Sequence, residues 1–473
     1  MGLQGAGRGH RQEQVGRCVR RVYFDITDII QFAGRNTRLT GIQRVVFNIV
    51  NLLSRKYGGE QVQCVYHDRS HKAMFAVDLS VRPHDVEFDA ETLLVDLGLA
   101  RAPSFFPSTV RVKSYLRNHA RDKTQRALLK LRLYLWSFTA RQRLRDLDLL
   151  PAGRVERGSA VALAPRRIEQ LSPDSHLVHL GSSWFFPEVW RFSAEHRARG
   201  GDVVQFIHDL IPVTHPQFMP DKEPPVFVNW LQHAMGYAAR FPCNSQWTAQ
   251  SLQRYAQSQG KVLDIEVTTL AHEFIGYERD EAVALPKRLA VLAGKRFVLC
   301  VGTIESRKNG LSLLRAWQRL PAEMGEAAAV LVFAGRYGKI GGPEFREELG
   351  AGQGSAADVR VIDMPSDSEL AWLYRNCLFT VYPSFVEGWG LPVGESAWFG
   401  KYCIASSASS IPEVCGSLVE YVDPEDTDGL KEQIVRLLRN DALLREREGR
   451  VAVAPLRRWC DVADDLYAYI TAR

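Results

Sequence analysis

Residues 378–405 constrain the fold more than any other stretch, because they alternate strand, loop, helix and strand within a short span. The apolar run at 378–382 predicts a buried strand, and Pro392 fits the first turn of a helix. Gly400 ends that helix before residues 402–405 form a second strand. This order is typical of an α/β domain in which helices cover a parallel sheet.

The same alternation extends along the chain and predicts two α/β domains. With 473 residues and ordinary apolar and charged fractions, the chain is too long for a single core. A charged stretch around Pro286 suits a linker, so we place the boundary within residues 276–295 and predict domains at 21–285 and 286–455. Residues 1–20 have no apolar stretch and predict a disordered lead-in, not a signal peptide. The predicted strands cover residues 22–27, 62–66, 93–97, 177–180, 203–208, 241–244, 297–301, 330–334, 359–362, 379–382, 402–405 and 420–422.

Two carboxylates eight positions apart, Glu387 and Glu395, flank the glycine-rich loop of the first segment. Gly388 and Gly390 let the backbone approach a ligand, and free N–H groups at the helix start form a cradle for a diphosphate. A carboxylate accepts hydrogen bonds from neighbouring hydroxyls such as those of a hexose or a ribose. The motif therefore predicts a nucleotide-sugar site. The alternative is an ordinary strand–loop–helix connection with a surface glutamate and a capping glutamate.

A second motif follows the predicted strand at 297–301, where Arg307, Lys308 and Asn309 precede an apolar helix. We expect Asn309 to cap that helix. Cations beside a helix N-terminus are unfavourable unless a negative group lies near them. A diphosphate suits the planar fork of Arg307 and the point charge of Lys308, and the alternative is a solvated basic turn.

Taken together, these motifs resemble those of a known family. Three elements are similar to motifs of the retaining glycosyltransferases of family 4. They are Gly-Thr-x-Glu-x-Arg-Lys-Asn at 302–309, Glu-x7-Glu at 387–395 and Ser-Ile-Pro-Glu-Val at 410–414. The resemblance implies the GT-B fold, in which two Rossmann-like domains face each other across a cleft. It also implies that a C-terminal helix, residues 456–473, crosses back to the first domain.

The resemblance implies a role for each matching residue. Glu387 would hold the donor sugar and Glu395 the ribose. His208 ends the apolar strand at 203–208, like the family strand whose terminal histidine reaches the donor sugar. A histidine there is more often structural, but ligands of open α/β sheets bind beyond the carboxyl ends of the strands. Asp209 either caps the next turn or acts in catalysis. With His208 and Glu387 as catalytic residues, the expected diphosphate-binding residues are Gly41, Arg307, Lys308, Gly388, Trp389, Gly390 and Leu391.

The implied activity is a retaining, metal-independent hexosyl transfer from a nucleotide sugar to a saccharide or lipid-linked saccharide, without a cofactor. GDP-mannose is the expected donor, because the Thr-Gly-Ile-Gln-Arg and His-Asp-Leu-Ile-Pro segments resemble bacterial mannosyltransferases of surface polysaccharide assembly. The loop at Gly41 departs from the commoner Gly-Gly form of the family. UDP-hexoses and GDP-fucose stay open as donors. The alternatives are an inverting GT-B transferase, a phosphorylase-like enzyme and a catalytically silent partner subunit.

Composition predicts where the chain works. Its eight cysteines are scattered, without a metal-ligand pattern or a disulfide framework, and no apolar run is long enough to span a membrane. We therefore expect a cytoplasmic protein, with peripheral contact to the inner face of the cell membrane as an option.

Positive charge is concentrated in the basic segment, residues 110–146, where leucines and aromatic residues lie between the cations. This segment either docks on an anionic membrane or forms a helical insertion that packs on its own domain. Nucleic-acid binding is the weaker interpretation, because no known nucleic-acid module is apparent. The cations are Arg111, Lys113, Arg117, Arg121, Lys123, Arg126, Lys130, Arg132, Arg141, Arg143 and Arg145, against Asp122 and Asp146.

Overall fold

The computed structural model describes most of both predicted domains. It describes less of the basic segment and of the residues around it. The predicted lead-in lies outside the described residues, except for Arg20. The described residues are 20–34, 36, 39, 41–81, 90–99, 111–113, 115–116, 122–140, 143–144, 149–150, 163–320, 324, 329–351 and 358–472.

The strands form two separate sheets. The first has the order β4-β3-β2-β1-β5-β6-β7-β8 and is parallel except for β3, which runs antiparallel to both neighbours. The second has the order β11-β10-β9-β12-β13-β14 and is parallel throughout. The strands are β1 (Arg21–Asp25), β2 (Val62–Asp68), β3 (Ala73–Val77), β4 (Arg166–Ile168), β5 (Ser175–His179), β6 (Asp202–Gln205), β7 (Arg240–Cys243), β8 (Asp264–Val267), β9 (Phe297–Val301), β10 (Val330–Ala334), β11 (Val359–Ile362), β12 (Thr380–Tyr382), β13 (Cys403–Ser406) and β14 (Glu420–Val422).

Helices connect the strands and cover both faces of each sheet. On β1, for example, Phe24 and Tyr23 point to opposite faces and join different core clusters, as alternation along a strand requires. The helices are α1 (Thr27–Ala33), α2 (Ile42–Gln61), α3 (Ala90–Asp96), α4 (Lys123–Thr139), α5 (Pro187–Ala198), α6 (Ile211–Thr214), α7 (Glu223–Tyr237), α8 (Gln246–Ser258), α9 (Gly310–Gln318), α10 (Gly342–Ala351), α11 (Asp367–Asn376), α12 (Leu391–Trp398), α13 (Ile411–Cys415), α14 (Thr427–Leu438), α15 (Asp441–Ala452) and α16 (Trp459–Thr471).

The α/β class is confirmed, and so are all six strands predicted in the second half, within one residue at each end. The strand predicted at 93–97 is wrong, because α3 occupies most of it. Leu93, Leu94 and Leu97 are buried, and their spacing fits one side of a helix. In a run this short, apolar residues alone do not distinguish a helix from a strand. The sequence also failed to indicate β3, β4 and β8, which lie at or near the two edges of the first sheet.

The C-terminal helix α16 packs on α2 of the first sheet's layer. The rings of Tyr57 and Tyr467 stack with centroids 3.9 Å apart, and Lys56 Nζ lies 2.6 Å from Asp464 Oδ1. Arg240 of β7 donates to the carbonyl oxygens of the last turn of α16, at 2.6 and 2.9 Å. A cation at the C-terminal end of a helix is favourable, so this contact anchors the end of the chain.

Within the described part of the chain, no helix combines the length and the apolar character needed to cross a bilayer.

Candidate active site

A cavity of about 430 Å³ lies between the two sheets. Residues of both halves of the chain line it, at the carboxyl ends of strands such as β9 and β10. Every residue predicted to bind or to act lies in its wall, which brings the separate motifs to one place. These residues are Gly41, His208, Arg307, Lys308, Glu387, Gly388, Trp389, Gly390, Leu391 and Glu395.

The glycine-rich loop leads into α12 as predicted. Gly390 precedes the helix with φ +117°, a left-handed conformation that suits glycine, and Pro392 lies in the first turn. A side chain at Gly388 would collide with the carbonyl oxygen of His208, so only glycine permits this approach of the two domains. The loop therefore joins the halves of the site through its backbone.

Two serines hold the loop in shape. Ser409 Oγ accepts a hydrogen bond from the Glu387 N–H at 2.9 Å. Ser410 Oγ lies 2.8 Å from the Glu387 carbonyl oxygen and 3.1 Å from that of Trp389. Ser410, the first residue of the Ser-Ile-Pro-Glu-Val motif, and the preceding Ser409 thus fix the conformation of the loop.

Glu387 forms a buried ion cluster with Arg307 and Lys308. Arg307 Nη1 lies 2.7 Å from Glu387 Oε2, and Lys308 Nζ lies 2.6 Å from Glu387 Oε1. Burial alone would raise the pKa of the Glu387 carboxyl, but the charges of Arg307 and Lys308 outweigh burial and lower that pKa to about 2. Burial lowers the pKa of Lys308, whose Nζ also donates to the Tyr382 hydroxyl at 2.6 Å. The negative group expected beside these cations is, in this structure, Glu387 itself.

Asn309 occupies the N-cap position of α9, as predicted, but its side chain makes no capping hydrogen bond. Asn309 precedes α9 in a left-handed conformation, φ 54°, whereas a capping residue usually adopts an extended one. Its side-chain amide donates to the carbonyl oxygens of Pro383 and Pro424 at 3.1 and 2.7 Å. Asn309 therefore joins the turn that carries Arg307 and Lys308 to the end of β12, which precedes the glycine-rich loop.

Glu395 is held by two partners that the sequence analysis missed. Arg44 Nη1, on α2, lies 2.9 Å from Glu395 Oε1, and the Tyr374 hydroxyl donates to Glu395 Oε2 at 2.9 Å. The Arg44 guanidinium also lies 4.9 Å from the centroid of the Phe274 ring. Arg44 belongs to the same Thr-Gly-Ile-Gln-Arg segment as Gly41, so the sequence motif could have indicated Arg44 as a site residue.

His208 is buried, and its Nε2 donates to the Leu180 carbonyl oxygen at 2.6 Å. Because a carbonyl oxygen only accepts, this bond places the proton on Nε2 and leaves Nδ1 as an acceptor. Burial lowers the pKa of His208 to about 4. The neighbouring Asp209 accepts from the Ile211 N–H at 2.9 Å, so it does cap the turn, and burial raises its pKa.

Two side chains in the cavity wall have a buried polar atom for which the described residues provide no hydrogen-bond partner. These atoms are Trp389 Nε1 and Asn244 Oδ1. Buried polar groups are normally paired, so these two atoms are exceptions. No group of three His, Cys, Asp or Glu side chains within the described ranges could hold a metal ion.

The two domains also meet beside the cavity. Glu413, on α13 of the second domain, accepts from the backbone N–H groups of Gln246 and Trp247 at 2.7 and 2.9 Å. A carboxylate is favourable at this helix start, the N-terminus of α8 in the first domain. Ser245 Oγ donates to the Gly388 carbonyl oxygen at 2.8 Å. The glycine-rich loop is thus fixed against the first domain.

Two α/β domains that face each other across a ligand-sized cleft define the GT-B class of fold, and solved structures agree. HepE from Anabaena, crystallised in complex with UDP and glucose, superimposes with a TM-score of 0.57 at 12% identity. The match covers 96% of this chain and 100% of that chain. The GT-B fold predicted from the resemblance is therefore confirmed.

Sequence comparison shows which proteins the second domain is similar to. The profile of the family described as Glycosyl transferases group 1 matches residues 284–452. O-antigen chain mannosyltransferase B of Escherichia coli is 29% identical over 241 residues, 50% of this chain and 62% of that protein. D-inositol 3-phosphate glycosyltransferase of Nocardiopsis dassonvillei is 27% identical over 304 residues, 60% of this chain and 69% of that protein.

Proposed function

We propose that this chain transfers a hexose from a nucleoside diphosphate sugar to a saccharide or lipid-linked saccharide, with retention of configuration. The observation that carries the proposal is the cluster of Arg307, Lys308 and Glu387 in the wall of the cavity that His208 also lines. Cations that hold a leaving diphosphate and groups that hold a sugar lie within one cleft. The domain boundaries and the residue roles predicted from the sequence form part of this proposal.

Arg307 and Lys308 would take the charge of the leaving diphosphate. Both already hold a carboxylate at 2.6–2.7 Å, a geometry that also suits phosphate oxygens. A bound diphosphate would replace Glu387 on these cations, and the free N–H groups at the start of α12 would add to the cradle. Two fixed cations in a partly desolvated cleft stabilise developing negative charge without a metal ion.

Glu387, once displaced from the cations, would accept hydrogen bonds from donor-sugar hydroxyls. With a pKa of about 4, His208 is neutral at pH 7 and so acts as a hydrogen-bond acceptor through Nδ1, not as a proton donor. These two residues would orient the anomeric carbon from opposite domains. The acceptor hydroxyl would attack on the face from which the phosphate leaves, and that phosphate would take the proton. Glu395 would bind the ribose.

Mannose is the sugar we propose, and GDP-mannose the donor. The support is the 29% identity to a protein named as an O-antigen chain mannosyltransferase, together with the two segments described above. The UDP in the complex of a structural neighbour keeps UDP-hexoses as the second candidate. An inverting transferase and a silent partner subunit are the remaining alternatives. We place the activity in polysaccharide assembly in the cytoplasm.

Donor binding can be tested by thermal unfolding with GDP, GDP-mannose, GDP-fucose, UDP and UDP-hexoses in excess chelator. A ligand that binds only the folded protein raises the melting temperature, by more at higher concentration. We expect a guanosine nucleotide to do so in the wild type and in Glu387→Gln, but not in Lys308→Ala. As a matched control, Lys295→Ala removes a half-exposed lysine of the same domain and should behave as wild type. Stabilisation that requires Mg²⁺ or Mn²⁺, or none by any nucleotide, would contradict the proposal.

A further inference from the structure

Helix α4, within the basic segment, exposes a row of large apolar side chains. Leu128, Leu131 and Leu135 are 62%, 57% and 52% exposed, and Tyr134 and Phe138 are each 56% exposed. Their spacing of three and four residues places them on one side of a helix with 3.6 residues per turn. We call these five residues the apolar stripe. Isolated exposed leucines are common, but five aligned large side chains mark an interaction surface.

The apolar stripe is not the side of α4 that packs on the protein. The opposite side carries Leu133 and Ser137, which are 3% and 0% exposed. Leu133 packs in a small core cluster with Leu144, Leu149 and Leu150. The helix therefore has two apolar sides. The inner one packs within the basic segment and against Leu149 and Leu150 just after it, whereas the outer one faces away from that cluster.

Charge indicates what the apolar stripe contacts. Residues 123–139 contain no aspartate or glutamate, and their four cations, Lys123, Arg126, Lys130 and Arg132, are all exposed. By helical spacing, Lys123 and Lys130 lie on one border of the stripe and Arg132 on the other. Cations that flank an apolar surface are complementary to a bilayer with anionic headgroups above acyl chains. A protein partner would need to supply acidic groups along both borders.

We propose that α4 lies in the plane of an anionic phospholipid bilayer, with the apolar stripe inserted at the boundary between headgroups and acyl chains. The flanking cations bind the lipid phosphates. The helix thereby holds the enzyme at the surface where a lipid-linked acceptor is presented. The contact does not depend on the proposed sugar transfer, because it involves none of the cavity residues. Arg117, Arg121, Arg141 and Arg145 of the basic segment lie outside the described residues.

Co-sedimentation with vesicles tests this proposal on the full chain. Vesicles of equal parts phosphatidylglycerol and phosphatidylcholine should bind the wild type in low salt, and phosphatidylcholine alone should bind it at least about tenfold less. The variant Leu128→Ser/Leu131→Ser/Leu135→Ser should bind the anionic vesicles at least about tenfold more weakly. The matched control Val262→Ser/Val291→Ser/Val453→Ser changes three apolar side chains that are 98%, 51% and 84% exposed elsewhere. It should bind as wild type.

A charge variant separates the contribution of the cations from that of the apolar stripe. Lys123→Gln/Lys130→Gln/Arg132→Gln should lose binding to anionic vesicles, and high salt should reduce wild-type binding in the same way. All variants should keep the melting temperature of the wild type and its response to nucleotide. Unchanged sedimentation of the leucine variant would overturn the proposal. So would a wild-type dimer in light scattering that the leucine variant abolishes, because a second copy would then cover the apolar stripe.

Discussion

At the scale of residues, the site is built from ionisable groups that are kept out of water. Glu387 has two cationic partners and a pKa of about 2, whereas the His208 ring donates to a carbonyl oxygen and has a pKa of about 4. Burial acts on both groups, but it determines the net direction for His208, because among the described residues no anion offsets burial there. Burial disfavours charge on both groups, so Glu387 is charged at pH 7 because of its cationic partners, whereas His208 is neutral.

The neutral state of His208 has a measurable consequence for stability. Its pKa is about 4 in the folded chain and about 6.5 in the unfolded chain, so the unfolded state binds the proton more readily between these values. Stability is therefore lost as pH falls from 6.5 towards 4. Between pH 6.5 and 5 the loss from this residue is about 2 kcal/mol.

We expect the free energy of unfolding of His208→Gln to fall less steeply over that range than that of the wild type, by about 2 kcal/mol. Denaturant unfolding at several pH values measures the difference. The exposed His233 provides the control, since His233→Gln should follow the wild type. Parallel curves for His208→Gln and the wild type would show that His208 is not buried in its neutral form.

At the scale of elements, two helices from different domains meet at a buried ion pair. Arg44 lies on α2 and Glu395 on α12, and their side chains are 20% and 5% exposed. Removing one partner of such a pair leaves an uncompensated buried charge, which costs more than the pair itself contributes. The pair therefore favours this arrangement of α2 and α12 over arrangements that separate the two charges.

A double-mutant cycle with Arg44→Met and Glu395→Gln should give a coupling energy of about 2 kcal/mol. Arg319 and Asp428 form a matched exposed pair at 3.0 Å, with side chains 49% and 67% exposed. Their cycle, with Arg319→Met and Asp428→Asn, should give no more than about 0.5 kcal/mol. Denaturant unfolding measures both cycles. Equal coupling in the two pairs would mean that water screens Arg44 from Glu395.

The elements of the second domain could be predicted from the sequence because several of its strands, such as Phe297–Val301 and Val330–Ala334, are continuous apolar runs followed by glycine. The first domain was harder. The apolar run at 93–97 fits either a strand or a helix, and only its tertiary contacts decide for α3. At the site, motif spacing indicated Arg307, Lys308 and Glu387. It did not indicate that Glu387 pairs with both cations or that Arg44 reaches Glu395, because both contacts join residues far apart in the chain.

At the scale of the whole molecule, the two domains are joined around the cavity by contacts of several kinds. Gly388 lies against His208, Glu413 caps α8, and α16 returns from the second domain to pack on α2. These contacts surround the proposed donor site and bring residues of both domains to one cavity. In the proposed reaction, such a cavity would exclude water from the sugar and limit hydrolysis of the donor.

Turnover of a nucleotide sugar, together with the stereochemistry of the product, tests whether this cleft transfers a hexose. The protein is incubated in excess chelator with an α-linked donor, GDP-mannose first, and a panel of saccharide acceptors, and the product is analysed by NMR. We expect an α-linked product from the wild type and a rate at least about 10²-fold lower for Glu387→Gln, which should still bind the nucleotide. A β-linked product, or no product from any donor that binds, would contradict the proposed retaining transfer.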